Sequence, residues 1–356
     1  MIDLDHNAGS PLRPEARAAM LEALDVGGNA SAIHARGRAA KRLLEDAREI
    51  VAGHAGTTPD RVVFTSGGTE ADALALAGRR TRASAVEHPA VLAQPGVAVA
   101  RAPVDAAGRV RVDALHADDV DTVAVMAANN ETGVVQPLED VRRALPPGVH
   151  LHVDAVQAPG RRDLAAIVAL ADSITLSAHK LCGPPGIGAL ILGGGVEPAG
   201  LLRGGGQERG RRAGTENVAA AAGFAAALRA TGAADETARL GLLRDRLEAG
   251  LCDLVPDLVV LGAGAPRLAN TLAVTAPGWR AERLLMALDL AGIAASSGAA
   301  CSSGRVRTSH VLDAMAVHAD LLAGMLRFSL GWSSTEADVE AALVAMRTLV
   351  RRRRAA

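Results

Sequence analysis

Short apolar runs alternate with helical patterns along the first half of the chain. The apolar runs that we interpret as strands lie at 61–66, 83–87, 97–101, 122–127, 149–154, 173–178 and 188–192. Stretches of helical pattern, such as 69–78 and 138–145, separate them. Apolar strands that alternate with helices are typical of a mostly parallel sheet covered on both faces, so the pattern predicts an α/β fold.

The pattern changes near residue 215. It is helical from there to about residue 254. Shorter strand candidates return at 258–262, 270–275, 292–297 and 325–330, and a final helix is predicted at 335–353. A chain of 356 residues is long enough for two domains. We predict a large domain at 14–250 and a smaller α+β domain formed by 1–13 and 251–356.

Polar clusters follow several of the predicted strands. They are TSGGTE at 65–70, EHP at 87–89, NNETG at 129–133, DAVQ at 154–157 and SAHK at 177–180. Ligands of open α/β sheets usually bind outside the carboxyl ends of the strands. These clusters therefore predict a ligand site at that edge of the sheet.

One of the clusters contains a lysine in a chain that otherwise uses arginine. Of the 38 lysines and arginines, only Lys41 and Lys180 are lysines. A site that needs only positive charge can use arginine, whereas a Schiff base requires an amine that can lose its proton. Lys180 is thus a candidate for covalent chemistry, although this residue alone is equally compatible with a surface position.

Two glycines precede the helix predicted at 69–78. Gly67 and Gly68 allow a close approach of the backbone, and the first amides of the helix favour an anion. Thr69 adds a hydroxyl group. A simple helix cap explains the pattern equally well, and neither a nucleotide P-loop nor GxGxxG is present.

Three further polar residues fit a pyridoxal phosphate (PLP) site, although each has a common structural role as well. Asp154 at a strand end would stabilise the protonated ring nitrogen, and Gln157 could donate to the phenolic oxygen of the ring. Asp154 precedes Lys180 by 26 residues, about one helix and one strand. His88 could stack on the ring and act as an acid or base.

The cysteines differ in their surroundings. Cys301 lies among Ser, Gly and Ala in AASSGAACSSG, a composition typical of an exposed loop in which a thiol can act as a nucleophile. Cys182 and Cys252 lie in apolar runs, so we expect both to be small buried residues. Three widely spaced cysteines do not favour a disulfide framework.

Composition excludes several other classes of function. The net charge is −1 and there is no Tyr, so no basic field or aromatic platform favours nucleic acid. The longest apolar run, at 218–228, is too short for a membrane span, and the first residues lack a signal-peptide pattern. We therefore expect a cytoplasmic protein without direct nucleic-acid or membrane contacts, and no metal site is predicted.

Ten fragments, taken together and in order, resemble the cysteine desulfurases, which are fold-type-I PLP enzymes of the class V aminotransferase group. The fragments are LDHNAGSP, GNASAIHARGR, VVFTSGGTEAD, EHPAV, NNETGVVQP, HVDAVQ, SAHKLCGPPGIGAL, GGGQERGRRAGTEN, SSGAACSSG and RFSLG. The resemblance covers almost the whole chain. It implies a large domain with a mostly parallel sheet of the seven-stranded type and a smaller α+β domain.

The resemblance also implies roles for the polar residues. Lys180 would hold PLP as a Schiff base, Asp154 would pair with the ring nitrogen, and His88 would stack on the ring. Gln157 would contact the phenolic oxygen and Arg327 would bind the substrate carboxylate, for which a guanidinium is well suited. The residues that would hold the phosphate are Gly68, Thr69, Ser177, His179 and, from the second subunit of a homodimer, Thr215.

The activity implied is the conversion of L-cysteine to L-alanine. Asn130 would lie beside the cofactor and substrate, and Cys301 would take the sulfur as a persulfide for an acceptor protein. Iron–sulfur assembly and tRNA thiolation are both compatible uses of that sulfur. A selenocysteine lyase, or another class V aminotransferase or lyase, is the alternative, and a non-catalytic protein that kept the fold is a more distant one.

The chain departs from the family pattern at three places. Gly9 and Ser10 replace two threonines of the usual ATTP, which would alter packing near the cleft mouth. Ala30 stands where proline is common. The chain also stops soon after its last helix, in RRRRAA, which places in doubt a scaffold partner that docks through a longer C-terminal extension.

Overall fold

A six-stranded sheet forms the centre of the protein and carries the polar strand ends. The computed structural model describes residues 1–98, 100–231, 234–298 and 309–354. The described strands, in chain order, are β1 (Ile2–Asp3), β2 (Val62–Thr65), β3 (Thr81–Ala83), β4 (Thr122–Ala124), β5 (His150–Asp154), β6 (Ser173–Ser177), β7 (Gly188–Leu192), β8 (Val259–Val260), β9 (Thr271–Thr275), β10 (Ile293–Ala294) and β11 (Leu326–Ser329).

Helices follow most of these strands. In chain order they are α1 (Pro14–Val26), α2 (Ala35–His54), α3 (Gly68–Leu76), α4 (Pro89–Leu92), α5 (Leu138–Ala144), α6 (Leu164–Leu170), α7 (Val218–Ala230), α8 (Ala234–Leu254), α9 (Ala281–Leu290), α10 (His310–Ala314), α11 (Ala319–Leu322) and α12 (Glu336–Arg354). Within the described ranges, none of the helices is both long and apolar enough to cross a membrane.

The large sheet has the strand order β2-β7-β6-β5-β4-β3. The strands β3, β4, β5 and β6 are parallel to one another, and β7 runs antiparallel to both β6 and β2. This confirms the predicted α/β class and the mostly parallel sheet. The strand predicted at 97–101 is reduced to two isolated parallel bridges, Thr81 with Val97 and Ser84 with Ala102, which extend the β3 edge.

Both faces of the sheet are covered, which explains why its strands are continuously apolar. Every residue of β5, β6 and β7 is buried. Along β7, Ile191 packs in the core formed with α2 and α7, whereas Leu190 packs with Leu74 of α3 on the opposite face. Alternate side chains of a strand point to opposite faces, so a doubly covered strand needs apolar residues at every position.

A second core lies among β9, β11, α8, α9 and α12. Its largest members include Leu272, Phe328 and Leu247. Leu4, directly after β1, is fully buried in the same cluster. The N-terminal residues therefore pack with the C-terminal part of the chain, while the domain boundary at residue 250 stays a prediction.

A buried ion pair fixes the loop of residues 200–217. Arg48 of α2 donates two hydrogen bonds to the Glu208 carboxylate, at 2.6 and 2.8 Å, and the Phe64 amide donates a third at 2.9 Å. Glu208 and Arg209 both have positive φ angles, at 47° and 57°. Such backbone conformations are strained for these residues, so the charged hydrogen bonds offset a local cost.

The position of Cys252 differs from the expectation that it is a small buried residue. It is exposed on α8, whereas Leu247 and Leu251 of the same helix are fully buried. Residues four apart share a helix face, so Leu247 and Leu251 form one buried face of α8. Cys252 follows Leu251 directly and therefore points away from that face. The interpretation of Cys252 as a buried residue was therefore wrong, while Cys182 is buried as expected.

Candidate active site

A cavity of about 390 Å³ opens at the carboxyl ends of β4, β5 and β6 and at the beginning of α3. Parallel strands bring their ends to one edge of a sheet, so segments far apart in sequence meet there. The predicted site residues that line the cavity are Gly68, Thr69, His88, Asn130, Asp154, Gln157, Ser177, His179, Lys180 and Arg327.

Lys180 lies at the end of a 3₁₀ turn, Ala178–Lys180, that directly follows β6. Its Nζ donates hydrogen bonds to the carbonyl oxygens of Asn7 and Ala8, at 2.7 and 2.8 Å. The N-terminal segment thus holds the amine at the cavity wall. Sequence reasoning missed these partners, because backbone carbonyl groups have no side-chain signature.

Asp154 ends β5 and is buried at the cavity. Burial, together with the nearby Asp72 carboxyl, raises its pKa to about 7, although the Val156 amide donates to Oδ1 at 2.9 Å. A buried carboxylate is costly unless a positive charge or a proton compensates it. The cavity therefore favours a ligand that presents a protonated nitrogen to Asp154.

Asp72 is a second carboxyl group of the cavity that the sequence analysis missed. It lies on α3, and His152 of β5 is 3.1 Å away, measured from Nε2 to the Asp72 Oδ1. Burial raises the pKa of Asp72 to about 7 and lowers that of His152 to about 4. Asp72 is three residues beyond Thr69, so the helical period alone indicated that it shares a face with that residue.

The beginning of α3 and the end of β6 both contribute to the lining of the cavity. The N-cap of α3 is Gly67, which has no side chain to accept from the first amides of the helix, and a Cβ atom at Gly68 would lie 3.1 Å from Val156 Cγ2. The Ser177 hydroxyl and His179 Nδ1 are 2.9 Å apart. Burial and the Lys180 charge lower the His179 pKa to about 4, so this imidazole is neutral at neutral pH.

His88 lies at the N-cap of α4. Its Nδ1 accepts a hydrogen bond from the Ala90 amide at 3.1 Å. In the neutral ring the proton is therefore on Nε2. Burial, and then the positive charge of Lys180, lower the His88 pKa, so the residue is available as a base at neutral pH.

Arg327 of β11 is buried and also lines the cavity. It donates to the Asp5 carboxylate at 2.7 Å and to the Asn130 carbonyl oxygen at 3.1 Å, while its Nε has no hydrogen-bond partner among the described residues. This guanidinium can therefore donate a hydrogen bond to a further anionic group. A carboxylate of a small ligand has the right charge and geometry.

Two predicted residues stand apart from this cavity. Thr215 is exposed in the 200–217 loop and does not line the cavity of its own chain. Cys301 lies outside the described residues, although Gly298, three positions before it, lines the cavity. Ser10, at one of the departures from the family pattern, donates its amide to the His179 carbonyl oxygen at 2.9 Å.

Within the described residues, no group of three or more His, Cys, Asp and Glu side chains is placed to hold a metal ion. The polar groups of the cavity are instead an amine, carboxyl groups, neutral imidazoles and hydroxyl groups. This set fits an organic ligand that has both cationic and anionic groups.

The chain belongs to the aminotransferase class-V family, whose model matches residues 2–342. It is 42% identical to an IscS-like cysteine desulfurase of Mycobacterium tuberculosis, over 100% of this chain and 98% of the relative. It is 43% identical to a cysteine desulfurase of Cereibacter sphaeroides, over 99% of this chain and 97% of the relative. The predicted membership of this class is thereby confirmed.

Solved structures show the same fold. A NifS-like protein superposes with a TM-score of 0.89 at 32% identity, covering 98% of this chain and 99% of the other. The protein SspA, solved in complex with cysteine, superposes with a TM-score of 0.82 at 25% identity, covering 93% and 99%. The shared architecture thus extends over nearly the whole chain.

We expect Asp154→Asn to change the pH dependence of folding stability in protein freed of small-molecule ligands. The folded pKa of Asp154 is raised from 3.8 to about 7, so the wild type loses stability as pH rises through that window. Asparagine does not titrate. The variant should therefore match the wild type near pH 4 and exceed it by up to about 4 kcal/mol above pH 7.

Unfolding by urea at pH 4, 6 and 8 measures this difference. The exposed Asp257→Asn is the matched control and should show no such trend. A difference between Asp154→Asn and wild type that stays constant across this range would contradict the assignment of a buried, proton-binding carboxyl group.

Proposed function

We propose that the protein is a PLP-dependent cysteine desulfurase, which converts L-cysteine to L-alanine and transfers the sulfur to Cys301. The observation that carries the proposal is one cavity that joins the Lys180 amine, the buried Asp154 carboxyl and the Gly68–Thr69 helix start. The similarity to cysteine desulfurases over the full chain supports the choice of substrate.

The residues present fit PLP. Asp154 is buried, and its pKa stays raised although the positive charge of Lys180 acts to lower it, so a ring nitrogen with its proton would compensate the remaining cost of the carboxylate charge. The α3 amides, Ser177 and His179 would hold the phosphate, since helix N-termini and neutral donors bind anions. Lys180 would hold the cofactor covalently through Nζ.

In the reaction, Lys180 would serve twice. It would hold the cofactor and, once the substrate amine replaces it, accept the α-proton of the substrate at Nζ. PLP supplies an electron sink for that proton removal when it is bound. Arg327 would orient the substrate through its carboxylate, and His88, neutral and with its proton on Nε2, would lie against the ring.

The sulfur step would use the Cys301 thiolate. It attacks the substrate sulfur, so a sulfur–sulfur bond forms as the bond from sulfur to Cβ breaks. The electron pair remains on the carbon, which takes a proton and leaves as alanine. Cys301 then carries a persulfide, whose outer sulfur passes to an acceptor outside the cavity.

Removing the Lys180 amine should abolish cofactor attachment. We expect Lys180→Ala to be colourless after purification and to lose cysteine turnover by about 10²-fold or more, because both the covalent link and the base are gone. The exposed Lys41→Ala is the only other lysine variant and should keep both properties. Absorption spectra, and peptide mapping of the borohydride-reduced protein, measure attachment; an adduct on a peptide without Lys180 would exclude this role.

Replacing the proposed sulfur acceptor should separate cofactor binding from sulfur transfer. We expect Cys301→Ser to keep its colour and, with dithiothreitol present as the reductant that frees sulfide from a persulfide, to release sulfide at least about 10²-fold more slowly, since a hydroxyl group is a far weaker nucleophile. The exposed Cys252→Ser is the matched control and should be unaffected. Unchanged sulfide release from Cys301→Ser would reject the persulfide route and favour the lyase or aminotransferase alternatives.

We also propose that the protein is a homodimer in which Thr215 completes the partner's phosphate site. Thr215 is exposed, on a loop that Glu208 and the Arg212–Glu70 ion pair of 2.8 Å hold against α2 and α3. Leu201 and Leu202 in the same loop are half exposed, at 49% and 48%. An anchored loop that exposes two leucines is suited to contact with a second copy.

Mixed dimers can test this arrangement. Thr215→Ala should weaken PLP affinity by roughly ten- to a hundredfold, the effect of one hydrogen bond to a charged group. A dimer of one Thr215→Ala chain with one Lys180→Ala chain should regain one site of wild-type affinity, because the first chain has Lys180 and the second supplies Thr215. If Thr215 acted within its own chain, mixing would restore nothing.

A further inference from the structure

Arg161, which follows the turn after β5, is a cation beside the cavity that the proposed mechanism does not use. It donates to the side-chain oxygen Oε1 of Gln157, and at 3.2 Å to the Lys180 carbonyl oxygen. Within the described residues it forms no ion pair, and Glu236 pairs with Arg13 instead, at 2.6 Å. The residue is partly buried, and this burial lowers the Arg161 pKa to about 10.

These contacts define which way the Gln157 amide faces. A guanidinium only donates hydrogen bonds, so the Gln157 atom that meets Arg161 must be the oxygen. The Gln157 Nε2 then donates to the Asn7 carbonyl oxygen at 3.2 Å. Both ends of the amide therefore give the same assignment. Nε2 has two hydrogens, and the second remains for a ligand in the cavity that Gln157 lines.

We propose that Arg161 is a positioning residue that fixes the Gln157 amide so that it presents an N–H group to the phenolic oxygen of PLP. Without Arg161, only the hydrogen bond of 3.2 Å to the Asn7 carbonyl oxygen would oppose rotation of the amide. A rotated amide would present its oxygen, which would repel the negatively charged oxygen of the cofactor. Since Arg161 also donates to the Lys180 carbonyl oxygen, one side chain ties together the two residues that meet the cofactor on this side. This inference rests on the proposed function.

The acid–base transition of the bound cofactor, followed by its absorption spectrum, reports this hydrogen bond. The phenolic oxygen has its greatest negative charge after the proton has left, so a donated hydrogen bond stabilises the deprotonated form. Its loss should move the midpoint to higher pH. We expect Arg161→Met to raise the midpoint by about one pH unit, equivalent to about 1.4 kcal/mol.

Companion variants distinguish positioning from a direct effect of charge. Arg161→Lys retains a cation that only donates, so its midpoint should return close to that of the wild type. Gln157→Ala should raise the midpoint as Arg161→Met does. In the Gln157→Ala background, Arg161→Met should cause no further shift, because the residue acts through Gln157. The other charged groups that act on Arg161, Glu236 and Arg327, stay the same in all of these variants.

Two results would overturn the proposal. One is an unchanged midpoint in Arg161→Met, and the other is a shift that persists at full size in the Gln157→Ala background. If Arg161→Met does not fold, Arg161→Gln serves in its place, since its amide can either donate or accept and no longer fixes Gln157. A wild-type protein that shows no cofactor absorption band would reject the proposed function itself, whereas a normal band with unshifted variants would reject only the role of Arg161.

Discussion

The burial of the Asp154 carboxyl group is the constraint on which the rest of the site depends. It ends a strand with both faces covered, and its pKa of about 7 shows how poorly the cavity tolerates its negative charge. The positive charge of Lys180 lowers the pKa of Asp154 but does not offset the effect of burial, and Arg327 pairs with Asp5. A ligand that brings a positive charge to Asp154 therefore relieves a cost that the fold has already incurred. The ring nitrogen of the proposed cofactor does this.

The N-terminal residues connect the two halves of the site. Asp5 binds Arg327 of β11, and the carbonyl oxygens of Asn7 and Ala8 bind Lys180 after β6. One short segment thus positions both the proposed covalent amine, beside the large sheet, and the proposed carboxylate-binding guanidinium, beside the second core. Leu4 is fully buried in the second core, and it anchors the segment that extends from there to the cavity. A movement of one core relative to the other would change the distance between the two functional groups.

The sequence predicted the strand ends well and their long-range partners poorly, for one physical reason. Parallel strands must bring their carboxyl ends to one edge, so a polar residue after an apolar run, such as Asp154 or Lys180, is placed by topology alone. The carbonyl oxygen that binds Lys180 belongs to Asn7, 173 residues away in the chain. Such a contact follows from the packing of one core on another, and a backbone oxygen has no identity in the sequence. Arg161 is a similar case, since only the geometry shows that it meets a Gln157 oxygen rather than a carboxylate.

Buried acids, rather than histidines, determine the charge of the cavity near neutral pH. Burial lowers the pKa of His152 and His179 to about 4, so both are neutral well below physiological pH. The same burial raises the pKa of Asp72 and Asp154 to about 7, and each carboxyl disfavours ionisation of the other. Asp72 and Asp154 therefore take up and release protons in the pH range in which histidines usually titrate. A bound ring cation beside Asp154 would shift this balance towards the ionised carboxylate, so proton release and cofactor binding are thermodynamically linked through the same pair.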